Sequence, residues 1–382
     1  MAASRSNIAE TASPTGMACL RCSTTFPVHE YEAGCPRCAA ERHASNLRLI
    51  YDRETGGVRL PYAQAASLGE NLTPLVDLRG LADEIGVGRL SAKLEWCNPT
   101  GSHKDRMAAQ LLAHASRLGF REIAAASSGN GGLAVAAYAA LHGLKAEIAT
   151  TRALPAHYRD AMTAHGATLA CFDNSLERWA HVARRVTEGA FAATNYRVPA
   201  IGTNPFGIEG YKTLAAEIAA PGMPDVVVVP CARGDLLSGL HLGFAELGAI
   251  PRLVGAEPFP RLERVLAGAD YRESFSGETD QFSIAGSTVT WQAFAALQAS
   301  GGTAIAVPDA TARDAQRRLA ATGLHAEVSA SSALAALRRL AQDGHLAGRH
   351  AVIVLTGSGR NDPDRYSRAE TKASTGGSPP VR

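Results

Sequence analysis

Short apolar runs alternate with amphipathic segments along most of the chain from about residue 90 onward. Runs such as residues 121–127 and 225–230 have the length of buried strands, whereas residues 105–119 repeat apolar positions at helical spacing. This alternation predicts βαβ units on parallel sheets, and therefore an α/β fold. Ligands bind at the carboxyl ends of strands in such folds, so the residues that follow each apolar run are the first candidates for function.

Length and composition favour a globular protein with more than one folded unit. The chain has 382 residues, 46% of them hydrophobic and 19% charged. Its formal charge of +2 is spread without a long basic run, so we expect neither nucleic acid nor membrane as a partner. Residues 1–16 lack the apolar stretch of a secretory signal, and no apolar run reaches about 18 residues. We therefore expect a cytoplasmic protein.

Four of the seven cysteines form two CxxC pairs separated by twelve residues. Two such turns that face each other supply the four thiolates of a tetrahedral Zn²⁺ site. The alternatives are two disulfides, which a reducing compartment disfavours, or four unrelated thiols. Four sulfur ligands leave no open position for substrate, so we expect zinc to stabilise a small ribbon and not to catalyse. The predicted ligands are Cys19, Cys22, Cys35 and Cys38.

The first strand exit contains NPTGSHKDR, residues 98–106, in which Lys104 stands early in a helix. The helix dipole disfavours the ammonium form of a lysine at this position, and desolvation acts in the same direction. An amine that forms an imine must be neutral, and these effects favour the neutral form. The alternative is a solvated lysine beside a helix capped by Ser102, which is the commoner situation for a single lysine.

The second strand exit contains SSGNGG, residues 127–132, in front of a helix. Backbone N–H groups at such a helix start form a site for a carboxylate or a phosphate, and Asn130 adds a side-chain donor. A glycine-rich loop is equally explained by tight packing of the helix on the sheet. The candidate anion-binding residues are Ser127, Ser128, Gly129, Asn130 and Gly131.

The third and fourth exits follow the apolar runs VVVV and AVIVL. The third contains Ala232, Arg233, Gly234, Asp235 and Leu236, which also open a helix and can hold a phosphate. In that loop we expect the arginine to be a charge partner and the aspartate to cap the helix. The fourth exit contributes Thr356, which taken alone is a structural residue.

In this order the four segments resemble the threonine synthase family of fold-type II pyridoxal 5′-phosphate (PLP) enzymes. The resemblance rests on NPTGSxKDR, SSGN, the loop after VVVV and TGxG. It covers residues 17–366, including the amino-terminal ribbon that some members carry. Further agreement comes from SLGENLTPLVDL, similar to LGEGxTPL, and from NPFGIEGYKT, close to NPxRxEGQKT.

The resemblance implies a role for each exit. Lys104 would form the internal aldimine with PLP, Asn130 would donate to the phenolic oxygen, and Thr356 would meet the pyridine nitrogen. A hydroxyl cannot keep that nitrogen protonated, so the ring is a weaker electron sink and suits elimination. The substrate carboxylate would be bound by Ser127, Ser128, Gly129 and Gly131. The cofactor phosphate would be bound by Ala232, Arg233, Gly234, Asp235 and Leu236.

The resemblance also implies two α/β domains with twisted parallel sheets, a small zinc ribbon and a homodimer. The expected large PLP-binding domain comprises residues 41–98 and 208–366, and the small mobile domain residues 99–207. The ribbon would span residues 17–40. Residues 1–16 and 367–382 are expected to be disordered tails.

Several substrate-facing positions depart from the family pattern. His103 replaces a phenylalanine, Gly207 replaces the arginine of NPxR, and Tyr211 replaces the glutamine of EGQ. Ala232 replaces a glycine that lets the backbone approach the cofactor phosphate. If the missing arginine holds the phosphate of O-phosphohomoserine, this chain has lost an anion partner.

Three functional hypotheses follow. The first is a PLP-dependent lyase or synthase that carries out elimination or replacement at Cβ or Cγ of a small amino acid. The second is threonine synthase proper, which converts O-phosphohomoserine and water to threonine and phosphate. The third is a catalytically silent protein whose zinc ribbon binds a partner, but the complete set of Lys104, Asn130 and Thr356 argues against it.

Overall fold

The computed structural model describes residues 9–52, 57–342 and 344–361, and it confirms the α/β fold. The strands are β1 (Ala9–Thr11), β2 (Gly16–Cys19), β3 (Thr25–Phe26), β4 (Leu47–Ile50), β5 (Val58–Leu60), β6 (Leu75–Asp77), β7 (Arg89–Leu94), β8 (Glu122–Ala126), β9 (Lys145–Thr151), β10 (Thr168–Phe172), β11 (Phe191–Ala192), β12 (Val226–Pro230), β13 (Arg252–Glu257), β14 (Thr303–Ala306) and β15 (His350–Leu355). The helices are α1 (Pro36–Ala40), α2 (Arg79–Ile85), α3 (Lys104–Arg117), α4 (Asn130–Leu141), α5 (Ala156–Ala164), α6 (Ser175–Thr187), α7 (Pro205–Gly210), α8 (Lys212–Ala219), α9 (Asp235–Glu246), α10 (Leu262–Leu266), α11 (Trp291–Ala299), α12 (Asp309–Ala321) and α13 (Val328–Ala341).

The larger sheet has six strands in the order β14-β13-β12-β15-β7-β6, all parallel except β6. The run of four valines in β12 shows why it is a central strand. Val226 and Val228 pack in one core with α12 and α13, whereas Val227 and Val229 pack in another with α8, α9 and α11. Because both faces of the strand are buried, the sequence is apolar at every position and does not alternate.

The smaller sheet is parallel, with the order β10-β9-β8-β11. Its core combines α4 and α5 with the apolar face of α3, while Trp179 and Val182 of α6 pack in a separate cluster. This sheet lies within residues 99–207, the range expected for a small domain. The division of the chain into domains stays a prediction.

The amino-terminal region is more ordered than the sequence indicated. Residues 9–16 were expected to belong to a disordered tail, but β1 pairs in parallel with β5. The ribbon sheet also continues past residue 40, because β4 pairs with β2 in the three-stranded sheet β3-β2-β4. The carboxyl-terminal tail over residues 367–382 lies outside the described residues. No helix in the described ranges has the length and apolar character needed to cross a membrane.

The buried guanidinium of Arg106 fixes the first turn of α3. Its Nε lies 2.7 Å from Glu95, and its Nη1 lies 2.6 Å from Glu217. Lys93 also binds Glu217, at 2.6 Å. Burial alone would raise the pKa of Glu217, but the two cations lower that pKa to about 2. The pairs connect α3 to β7 and α8, and they therefore hold the start of α3 against the larger sheet.

Replacing Arg106 by methionine should lower the free energy of unfolding by about 3–5 kcal/mol, because buried Glu95 loses its cationic partner and Glu217 loses one of its two. Urea unfolding followed by circular dichroism measures the change. The matched control is Arg89→Met, which removes the exposed ion pair with Asp77 on the neighbouring strand and should cost less than about 1 kcal/mol. Equal losses for the two variants would contradict this role of Arg106.

Candidate active site

The four strand exits meet around one cavity of about 380 Å³. Three of them follow β7, β15 and β12, which are neighbours in the larger sheet, and the fourth follows β8 of the smaller sheet. The lining residues that the sequence predicted are Lys104, Ser127, Ser128, Gly129, Asn130, Gly131, Ala232, Arg233, Gly234, Asp235, Leu236 and Thr356. Parallel strands thus bring together residues that lie more than 250 positions apart in the chain.

Lys104 is the first residue of α3, and its backbone N–H donates to Ser102 Oγ at 3.3 Å. Desolvation lowers the pKa of the Lys104 amine, and the positive charge of Arg233 lowers it further. Nearby acidic groups have the opposite effect and raise this pKa. Its Nζ lies 3.3 Å from the hydroxyl of Tyr211. No ion pair of Lys104 occurs in the described part of the chain.

The other described lysines are unsuited to covalent chemistry in this cavity. Lys93 binds Glu217 at 2.6 Å, and Lys212 binds Glu209 at 2.5 Å, so both side chains are buried as ion pairs. Lys145 is exposed at the start of β9. Within the described ranges, Lys104 alone combines a position on the cavity with a lowered amine pKa.

The loop before α4 positions Asn130 at the first helical residue. Its side-chain oxygen accepts hydrogen bonds from the Tyr158 hydroxyl at 2.7 Å and from Asn361 Nδ2 at 2.9 Å. Its Nδ2 donates to Glu327 at 3.3 Å. Three hydrogen bonds therefore fix the orientation of the Asn130 amide, and the residue is 5% exposed.

The backbone of the same loop is suited to an anion. The N-cap residue of α4 is Gly129, which has no side chain to cap the helix. The Gly132 N–H donates to Ser127 Oγ at 2.8 Å, and the earlier N–H groups of the first turn remain available to a ligand. Ser128 Oγ accepts from Arg178 Nη1 at 2.8 Å. This arrangement fits a substrate carboxylate at residues 127–131.

The loop before α9 has a second uncapped helix start. Gly234 is its N-cap residue, with a φ of +98°, and a Cβ there would lie 2.1 Å from Ala293 Cβ. Only glycine fits this position. Arg233 Nε is buried without a hydrogen-bond partner, while its guanidinium lies over the Trp179 ring at 5.6 Å.

The expectation that Asp235 caps α9 is wrong. It is the first residue of the helix, and its carboxylate accepts from the N–H and hydroxyl of Thr203 and from Gln292 Nε2. These bonds hold the carboxylate away from the helix start, which removes the expected conflict with a phosphate.

These features fit PLP. The uncapped start of α9 and the orphaned Arg233 Nε suit a phosphate. Thr356, 3% exposed at the end of β15, contributes to the same cavity as Lys104. The carbonyl oxygen of Thr356 accepts from the His103 N–H at 3.1 Å, so the two exits are hydrogen-bonded directly to each other.

The structure adds residues that the sequence did not single out. Glu327, Arg178 and Trp179 line the cavity, and Tyr158 supports Asn130 from behind. Their sequence surroundings carry no glycine-rich or turn motif. Only the fold, which brings α5, α6 and the start of α13 to the same strand ends, reveals them.

The four predicted zinc ligands form one cluster. Cys19 Sγ lies 3.6 Å from Cys38 Sγ, and Cys22 Sγ lies 3.7 Å from Cys35 Sγ. Tetrahedral coordination at about 2.3 Å from zinc requires sulfur atoms about 3.8 Å apart, so the geometry fits the metal. All four atoms lie within 4.8 Å of one another.

Comparisons with known proteins identify the family. The chain matches the family described as pyridoxal-phosphate dependent enzyme over residues 66–357. It is 30% identical to threonine synthase of Methanocaldococcus jannaschii, over 92% of this chain and 94% of that protein. It is 32% identical to threonine synthase of a Bacillus species, over 78% of this chain and 85% of that protein.

A solved structure shares the fold. The processed form of threonine deaminase isoform 2 from Solanum lycopersicum has a TM-score of 0.69 at 20% identity, over 79% of this chain and 83% of that one. The sequence motifs, the cavity and these relatives agree, and the chain belongs to the threonine synthase family of fold-type II pyridoxal-phosphate-dependent enzymes.

Proposed function

We propose that this protein is a PLP-dependent lyase that carries out elimination or replacement at Cβ or Cγ of a small amino acid. The observation that carries the proposal is the Lys104 amine, whose pKa is lowered by burial, in a cavity with two uncapped helix starts. One helix start suits the cofactor phosphate and the other the substrate carboxylate. The third hypothesis, a catalytically silent protein, has no comparable support.

The proposed roles divide among the chain's own residues. Bound PLP would supply the electron sink that withdraws negative charge from Cα. Lys104 would hold the cofactor and, once exchanged for the substrate amine, take the α-proton on Nζ. Asn130 would donate to the phenolic oxygen, and Thr356 would meet the pyridine nitrogen. Arg233 and the backbone of residues 232–236 would bind the phosphate.

Threonine synthase proper is the second candidate, and the names of the relatives favour it. The packing at Gly207 opposes it. A Cβ at this buried position would lie 3.2 Å from Met107, 3.3 Å from Thr203 and 3.4 Å from Leu111. An arginine therefore does not fit here without displacing its neighbours, and a phosphate leaving group would need a cation at another position of the cavity.

We propose that Zn²⁺ binds the Cys19, Cys22, Cys35 and Cys38 thiolates as a structural metal. The sulfur distances support this, and the full complement of protein ligands excludes a catalytic role. We also retain as proposals a homodimer, a cytoplasmic location and a mobile small domain over residues 99–207. The free state of all seven cysteines is consistent with a reducing compartment.

Product analysis with purified PLP-loaded protein tests the reaction. Serine, threonine, phosphoserine, diaminopropionate and O-phosphohomoserine are offered separately, and ammonia, keto acid, phosphate and threonine are measured. Ammonia with a keto acid supports elimination. Phosphate with threonine supports threonine synthase proper. The Lys104→Ala variant should lose turnover by about 10³-fold or more, because it removes the proton acceptor.

The matched control for that variant is Lys145→Ala, which removes an exposed lysine at the start of β9 that does not line the cavity and should leave turnover unchanged. Full activity and an unchanged visible absorption band in Lys104→Ala would reject the central assignment. The visible absorption band of the lysine-bound cofactor is the second readout. This band should be lost in Lys104→Ala and retained in Lys145→Ala.

Metal analysis of the purified protein should find about one zinc per chain, since four thiolates complete one tetrahedral site. Replacing Cys35 by serine should abolish the bound zinc. The control is Cys171→Ser, which changes an exposed cysteine outside the cluster and should retain it. Full zinc content in Cys35→Ser would contradict the predicted ligand set.

A further inference from the structure

Two of the departures from the family pattern meet at the reactive amine. The Tyr211 hydroxyl lies 3.3 Å from Lys104 Nζ, and the His103 and Tyr211 rings stack with centroids 5.7 Å apart at an angle of 27°. Tyr211 stands where the family has glutamine, and His103 where it has phenylalanine. One change therefore contacts the nitrogen of Lys104 directly, and the other packs against the ring that makes this contact.

The surroundings of Tyr211 fix its hydroxyl. The side chain is fully buried, and a Cβ on Gly239 would lie 2.3 Å from Tyr211 Cβ, so α9 packs directly against it. On the other side, the stacked His103 is held by the carbonyl oxygen of Thr356, 3.2 Å from its Nδ1. The Tyr211 ring is thus packed between α9 and His103, and its hydroxyl faces Lys104 Nζ.

A phenol can bind both protonation states of an amine. Its O–H donates to the neutral nitrogen, and its oxygen accepts from the ammonium. The second bond is the stronger because its donor is charged. The Tyr211 hydroxyl therefore stabilises the ammonium form of Lys104, whereas desolvation destabilises that form. The charged or ionisable groups that also affect the pKa of Lys104 are Asp235, Arg233, Cys231 and Glu327, and Lys104 in turn lowers the pKa of His103. Those that act on Tyr211 are Asp235, Glu95 and Asp105.

We propose that Tyr211 is a further catalytic residue, whose hydroxyl stabilises Lys104 Nζ as it receives the substrate α-proton. In a β-elimination the proton passes from Cα to Nζ, the electron pair of the broken C–H bond forms the Cα–Cβ double bond, and the departing group leaves with the electron pair of its own bond to Cβ. The inference rests on the proposed function, because it assigns the α-proton to Lys104. Histidine at position 103 fits this role: burial and the adjacent Lys104 lower its pKa, so it stacks on the phenol as a neutral ring.

Replacing Tyr211 by phenylalanine keeps the ring and removes the acceptor. We expect kcat to fall about tenfold, with a smaller change in KM, because one hydrogen bond to a charged group is lost. The acid limb of the kcat profile, where Lys104 becomes neutral, should move to lower pH by about one unit. The amount of bound cofactor should not change. A Tyr211→Phe enzyme with the wild-type kcat and pH profile would overturn the proposal.

The control is Tyr138→Phe, which removes another buried hydroxyl, bound to Glu70 at 2.7 Å and not on the cavity. Its pH profile should match the wild type. If Tyr211→Phe retains no cofactor, Tyr211→Gln is compared with Tyr211→Leu, and equal profiles for these two would reject the proposal. The pH at which PLP is taken up by cofactor-free protein needs no substrate, so it tests Tyr211 even if the proposed reaction fails.

A second and independent set of contacts connects the cysteine ribbon to the loop before α9. The carbonyl of Leu20, between Cys19 and Cys22, accepts from Trp291 Nε1 at 3.1 Å. The neighbours of this tryptophan hold the loop: Thr290 Oγ1 donates to the Arg233 carbonyl at 2.7 Å, and Gln292 Nε2 donates to Asp235 at 2.5 Å.

A second set of hydrogen bonds runs through Asn46. The residue before it, Ser45, is bound to the cysteine ribbon, because its carbonyl accepts a hydrogen bond from the Cys35 N–H at 2.9 Å. Asn46 Nδ2 donates to the Thr203 carbonyl at 2.8 Å and to Gln292 Oε1 at 3.0 Å. Thr203 and Gln292 both donate to Asp235. Both routes therefore end on the loop that suits the cofactor phosphate, and the side chains of Asn46, Thr203 and Gln292 are buried.

We infer that the metal-bound ribbon positions this loop, so that zinc strengthens PLP binding without touching the cofactor. Asn46→Ala should raise the Kd for PLP about tenfold, while zinc content and circular dichroism stay unchanged. The control is Tyr271→Phe, which removes a different ribbon contact, to the Ala44 carbonyl, and should leave Kd within about twofold.

Equilibrium dialysis of PLP against the variants and against chelator-treated wild type measures this coupling. A folded zinc-free protein that binds PLP with the wild-type Kd would overturn the inference. An unchanged Kd in Asn46→Ala would overturn it as well. If Asn46→Ala does not fold, the chelator-treated wild type decides the question.

Discussion

The active site depends on one physical constraint, which is the enclosure of a lysine amine without a carboxylate partner. Lys93 and Lys212 are buried in ion pairs, with Glu217 at 2.6 Å and Glu209 at 2.5 Å. Lys104 has a phenol in place of a carboxylate, and desolvation lowers its pKa. Its neutral form is therefore accessible, and a neutral amine is what covalent chemistry with an aldehyde requires.

The rest of the fold maintains that constraint. The buried Arg106 pairs hold the first turn of α3 against β7 and α8, so the position of Lys104 is set by a rigid network two residues away. Neighbouring strand ends bring the loop before α9 and Thr356 to the same cavity. The glycine at 234 lets that loop approach α11 more closely than a side chain would allow.

The sequence predicted the parts of the site that local patterns determine. The valines of β12, the turn before Lys104 and the loop before α4 each carry their structure in adjacent residues. The α/β fold then brings strand ends together, and for this reason the four motifs could be combined into one predicted site. The cysteine cluster was predictable for the same reason, since CxxC spacing determines local geometry.

Long-range contacts were beyond the sequence. Glu327 reaches the cavity, and Tyr158 reaches Asn130 behind it, only through packing of distant helices, and no local pattern distinguishes them. Asp235 was expected to cap α9 because aspartate commonly does so, but Thr203 and Gln292 bind its carboxylate instead. Likewise, β1 and β4 are strands because of partners elsewhere in the chain.

The most direct test of the account is to identify the lysine that carries the cofactor. Borohydride reduction fixes PLP on its amine, and peptide mass mapping then locates the modification. The chain has five lysines, at positions 93, 104, 145, 212 and 372. Lys104 alone should be modified, and modification of any other lysine, or of none, would contradict the assignment of Lys104 as the cofactor-binding residue.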